Sequence, residues 1–122
     1  MARLKERVTR LHQRGQQLAP RKIVAIFLHR ILYDSIDAVG QVAGNEAATA
    51  LQAQSWRQYQ ALADGLPLLV PHTLYLKTVR TALQILQDLL PDIVAAPQQQ
   101  RACYGAMRDK VLVLRGEISN QN

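Results

Sequence analysis

The chain has a single cysteine, Cys103, so it can form no internal disulfide, and a cysteine-based metal site would need other ligands or other chains. Aromatic residues are few, and residues 1–18 have no Phe, Tyr or Trp of the kind that anchors an interfacial helix in a membrane. Long apolar runs are missing as well. The longest, IVAIFL at 23–28, is far short of the roughly 18 residues a membrane span requires. The opening MARLKERV has neither an apolar h-region nor a cleavage site. These absences predict a soluble, unexported protein of the reducing cytoplasm, without a membrane partner. The sequence also lacks a metal-ligand cluster, a phosphate-binding glycine loop and a nucleophile motif.

What it does have is length for one domain and charge at one end. At 122 residues it can bury one modest core. The net charge is +6, unevenly placed. Residues 1–30 hold eight basic side chains against one acid, Glu6, a net +7, and the remainder holds seven basic and eight acidic side chains, a net −1. Such asymmetry points to a polyanionic partner.

Every informative segment carries helical periodicity, and none carries convincing period-2 alternation. The reading is all-α, a single five-helix bundle over residues 1–122. The first helix is expected from Ala2 to Leu18, with Leu4, Val8 and Leu11 on one face. A second, from Pro20 to Val39, is apolar almost all round in its first half, which predicts a central, largely buried helix with Arg30, Asp34 and Asp37 as its wet face. Gly40 and Gly44 punctuate its exit, and Asn45 is expected to cap a third helix that ends at Gly65. The loop LPLLVP is expected to pack across the bundle. A fourth helix, from His72 to Leu90, has the stripe Leu76, Val79, Leu83, Leu86 and Leu90, with Pro91 as its stop. Pro97 suits the first turn of a fifth, which presents Tyr104, Met107, Val111, Leu114 and Ile118.

The first helix holds arginines at 3, 7, 10 and 14. At about 100° per residue they fall within about 60° of one another, a ridge beside the apolar strip rather than opposite it. The ridge extends over roughly 16 Å of axis. Arg101, Arg108 and Arg115 recur at seven-residue spacing in the fifth helix and drift only about 20° per step. Cations on amphipathic helices are ordinarily just a solvated face. Here they are mostly arginine, they lack i+4 acidic partners along the first helix, and they repel one another. A polyanion offsets that repulsion, and arginine offers phosphate a planar fork. The nucleic-acid-binding residues predicted on this basis are Arg3, Arg7, Arg10, Arg14, Arg21, Lys22, Arg101, Arg108 and Arg115.

No catalytic site is read from the sequence, and no cofactor, metal or small-molecule substrate is expected. His12, His29 and His72 are scattered. Arg7 to His12 reads R-x4-H, similar to the signature of HEPN ribonucleases, but that family carries it late in its bundle. Asp34 and Asp37 beside Arg30 read as an exposed ion-pair patch. The stretch AVGQVAGNEAATALQAQ, from Ala38 to Gln54, looks a little like a helix-turn-helix. Its second helix, however, has an acid and no base before Arg57, and a reading helix needs a positive surround.

A small basic all-helical protein with cations along its helices resembles the small, helical belly subunit of multisubunit CRISPR effector complexes, Cascade-like or type III-like. The segment LAPRKIVAIFLHRILYDSI is similar to helices of those domains. The resemblance implies a ribonucleoprotein subunit that binds the backbone of guide RNA, target or non-target strand and contacts other subunits, including copies of itself. Leu66, Leu68 and Leu69 are the apolar residues expected at such contacts. A DNA-binding regulator and a helical adaptor that binds only protein stay open as alternatives.

Overall fold

Two prolines mark where the chain turns from extended to helical. In the computed structural model, which describes the backbone of residues 18–120 and the side chains of 18–114, β1 (Leu18–Pro20) and β2 (Leu69–Pro71) form an antiparallel ribbon with Ala19 opposite Val70. Each strand ends in a proline, which donates nothing to the ladder and is pre-set for the turn that follows. Helix α1 (Arg21–Ala43) leaves from Pro20, and its first N–H donates to the Leu68 carbonyl at 2.9 Å. Then come α2 (Asn45–Asp64), α3 (His72–Ile93) and α4 (Pro97–Asn120).

The fold is a helical bundle, but the described residues hold four helices and a two-stranded ribbon rather than helices alone. Three-residue strands are too short to register as alternation, so the ribbon is invisible to a periodicity argument. The first predicted helix lies outside the described residues except for Leu18, which belongs to β1.

Three local expectations also change. Gly40 does not end α1; a Cβ there would lie 3.3 Å from the Ala48 Cβ, so this glycine permits close approach of α1 and α2. The break falls at Gly44, whose φ of 98° and ψ of 167° suit only glycine. Asn45 makes no capping bond and is itself the first residue of α2. Pro91 lies inside the last turn of α3, which runs on to Ile93.

The core is built around α1. Val24, Leu28, Ile31, Leu32, Ile36 and Val39 meet Leu51 and Tyr59 of α2, Val79, Leu86 and Leu90 of α3, and Cys103, Met107, Val111 and Leu114 of α4. Helix α1 packs chiefly on α2 and α4, and α3 packs on α2. The connections are short, so sequential helices run antiparallel. Gly40 against Ala48, and His29 against Trp56 further from the turn, bear this out for α1 and α2.

Candidate nucleic-acid interface

The geometry of the α3–α4 seam starts from Pro91. A proline at that position cannot donate to the carbonyl four residues back, that of Gln87. Tyr104 of α4 fills the place: its hydroxyl donates to the Gln87 carbonyl at 3.3 Å. This contact fixes both the level and the facing sides of the two helices.

Arg101 and Arg108 lie within about 60° of Tyr104 on the wheel of α4, and Arg80 lies about 20° from Gln87 on that of α3. All three flank the same seam. Because the helices run in opposite directions, four residues beyond Tyr104 is four residues before Gln87, so Arg108 is level with Leu83 and within a turn of Arg80. All three side chains are exposed. Among the described residues none of them makes an ion pair with a carboxylate. Asp88 and Asp109 lie about 100° and 140° further round α3 and α4 from the seam. The seam is therefore flanked by a short cationic row, suited to the forked contacts guanidinium makes with phosphate oxygens.

Arg21 and Lys22 sit elsewhere. Both are exposed on the first turn of α1, and Arg21 reaches back so that Nη1 donates to the Leu66 carbonyl at 3.4 Å. Its charge is thus partly engaged in holding the loop before β2. In an up–down bundle the start of α4 is at the opposite end from the start of α1, so Arg101 lies most of a helix length, roughly 30 Å, from this pair. The described cations form two separate places and not one groove. Arg3, Arg7, Arg10 and Arg14 lie outside the described residues, as does the side chain of Arg115.

Sequence reasoning missed Arg80. Seen alone on α3 it is one exposed cation among polar neighbours, and only the pairing of α3 with α4 gives it company. It also missed the rings of His29, Tyr33 and Trp56, whose centroids lie 5.6 to 6.5 Å apart across the α1–α2 seam. His29 Nδ1 is 3.0 Å from the Ala25 carbonyl and donates to it. The i, i+4 spacing of His29 and Tyr33 was readable, but the partner Trp56 was not.

Two of the remaining chemistry-bearing side chains, Cys103 and Tyr59, are packed in the core. Cys103 is fully buried, and burial pushes its thiol up, away from the thiolate that reactive cysteines need. Tyr59 is buried, donates to the Ala82 carbonyl at 2.7 Å, and has its phenol raised by the same desolvation. Asp37 accepts from Gln41 at 3.2 Å on the outer face of α1. A shallow hollow on α2 is lined by Asn45, Glu46, Thr49, Ala50 and Ala53, with one ionisable group among them. Among the described residues no three His, Cys, Asp or Glu side chains gather as metal ligands, and no helix is long and apolar enough to cross a membrane.

Of the leucines expected at subunit contacts, Leu66 is buried in the core cluster and Leu69, in β2 opposite Pro20, is half-buried. Leu68 alone is exposed, at 73%. The Ala38–Gln54 stretch is an αα-hairpin, its helices side by side as far as His29 and Trp56; the helix-turn-helix of DNA readers crosses at about 90–120°. The chain matches no protein-family model, no curated protein and no solved structure.

Proposed function

We propose that this protein is a non-catalytic helical subunit that binds the backbone of a nucleic acid through arginine, and that it serves in a ribonucleoprotein assembly of the kind the CRISPR small subunit represents. The observation that carries this reading is the row of Arg80, Arg101 and Arg108 on two facing helices, exposed and without carboxylate partners among the described residues. A solvated helix face normally intersperses charges of both signs, whereas this flank holds one sign on both helices. Arg3, Arg7, Arg10 and Arg14 supply further positive charge in the N-terminal segment. Backbone contact of this kind reads charge and shape, and leaves sequence to base pairing.

Leu68, Leu112 and Val113, exposed on the β2 loop and α4, are the side chains offered to neighbouring subunits. They are also what a protein-only adaptor would use. Titration of labelled single-stranded and duplex oligonucleotides at about 50 and 200 mM salt separates the two readings. A binder through about six phosphates loses on the order of a thousandfold in affinity over that range, and an adaptor binds neither oligonucleotide. Replacing Arg80 and Arg108 by Glu in the full chain is expected to weaken retention of every sequence alike; unchanged retention would exclude the seam.

A further inference from the structure

The chain has six Phe, Tyr and Trp side chains, and only Tyr33 and Trp56 among them are exposed, at 46 and 39%. They come from different helices and stand together, with ring centroids 6.5 Å apart and planes tilted by 48°. His29 completes the cluster, 5.6 Å from Trp56 and 6.5 Å from Tyr33, its ring within 18° of parallel to that of the tyrosine. The Nδ1–H of His29 is tied to the Ala25 carbonyl, which orients the imidazole and leaves Nε2 as an acceptor. Trp and Tyr forfeit apolar burial when left in water, and they are enriched where a surface meets a partner.

The surroundings narrow the chemistry of that partner. Charge about the rings is balanced, with Arg30 and Arg57 against Asp34 and Asp37, the last of which accepts from Gln41. Gln52 and Gln60 lie one turn before and one turn after Trp56, within about 40° of it on the wheel of α2. Both are exposed, and neither amide bonds another described residue. The Tyr33 hydroxyl and Trp56 Nε1–H add donors, and His29 Nε2 an acceptor. A phosphate seeks cations and donors alone, whereas this rim carries both signs and mixes donors with acceptors. It suits an uncharged planar ligand with donors and acceptors along its edge. In a polyanion held elsewhere by its phosphates, that ligand is an unpaired base. Every base has a π-face that stacks on aromatic side chains, and glutamine amides match base edges. Paired bases stack on one another within a duplex and close those faces.

We propose that Trp56, Tyr33 and His29 form a base-stacking platform, and that the nucleic acid this protein binds is single-stranded where it meets the α1–α2 seam. The inference rests on the reading above that the partner is a nucleic acid, and adds to it the class of strand. Arginines of α3 and α4 hold phosphates; the rings, on the other two helices, hold a base.

The test uses the full chain and two labelled polymers of about 16 nucleotides, the upper end of single-strand site sizes. One is oligothymidylate, and the other an oligomer of tetrahydrofuran abasic units with the same phosphates and no bases. The unaltered protein is expected to bind oligothymidylate about tenfold more tightly, as one stacked base supplies. Tyr33→Leu with Trp56→Leu is expected to abolish that preference, while the dependence of affinity on salt keeps its slope because the phosphate contacts stay. Trp56→Phe retains an aromatic face and is expected to keep most of the preference. On the unaltered protein, oligothymidylate carrying 5-iodouracil is expected to photo-crosslink at Trp56 or Tyr33, as mass spectrometry of the peptides would show. Equal binding of the two polymers by the unaltered chain, a double variant that still prefers oligothymidylate, or cross-links confined to other residues would overturn the platform. The arginine seam then still stands if Arg80→Glu with Arg108→Glu weakens the abasic oligomer. Conversely, a ring variant that loses the preference beside a seam variant that loses nothing supports the platform and removes the seam, and a chain that binds neither polymer overturns both.

Discussion

Two tyrosine hydroxyls tie helices together by the same contact in different surroundings. Tyr59 donates to the Ala82 carbonyl from the core, and Tyr104 donates to the Gln87 carbonyl from a half-buried position. A buried phenol resists ionisation, so the native state keeps the Tyr59 proton at pH values where the unfolded chain, titrating near 10, releases it. The native state then binds more protons than the unfolded one, and stability falls as pH rises above about 10; below that the contribution is present in full. Tyr59→Phe is expected to lose about 1–2 kcal/mol at neutral pH and to flatten this alkaline slope, as urea denaturation at pH 7 and 10.5 would show. Ser35 presents the opposite case. Its buried Oγ has no hydrogen-bond partner among the described residues, and Ser35→Ala is expected to raise stability by about 1 kcal/mol in the same assay.

At the scale of elements, the turn between α1 and α2 and the end of α3 each depend on one residue. Gly44 holds a backbone conformation that side chains other than hydrogen rarely adopt, so Gly44→Ala is expected to cost about 1–3 kcal/mol although nothing crowds the site. Pro91 and Tyr104 form a coupled pair. Tyr104→Phe leaves the Gln87 carbonyl without its donor and is expected to cost about 0.5–1 kcal/mol, whereas in a Pro91→Ala background the restored N–H takes that carbonyl and the cost disappears. A double-mutant cycle by thermal or urea unfolding measures the difference.

The same residues show what periodicity could and could not convey. The stripe of α3 was legible because its apolar residues are local: Val79, Leu86 and Leu90 are buried, with Leu83 half-buried beside them. Gly40 and Gly44 were alike as letters. Only the approach of Ala48, a contact between helices, makes one a packing residue and the other a break. Arg101 and Arg108 were readable as a row on one helix, but Arg80 joins them through the Tyr104–Gln87 contact, a pairing that no single-helix pattern contains.

At the scale of the whole molecule, positive charge is concentrated in the N-terminal arginines and at the α3–α4 seam, with Arg21 and Lys22 at the foot of α1. Where the N-terminal arginines and the seam neutralise different phosphates, the free-energy effects of reversing their charges should add within about 0.5 kcal/mol. Arg7→Glu with Arg10→Glu removes two cations from the N-terminal segment, and Arg80→Glu with Arg108→Glu removes two from the seam. Each pair should lower the slope of log affinity against log salt by about 1.4–1.8, the amount expected for two phosphates no longer neutralised. The fourfold variant should lose both amounts if one strand meets both groups of arginines. If only one group meets the strand, a single pair accounts for the whole loss and the other leaves the slope unchanged; fluorescence anisotropy of a labelled oligonucleotide across four salt concentrations distinguishes these outcomes.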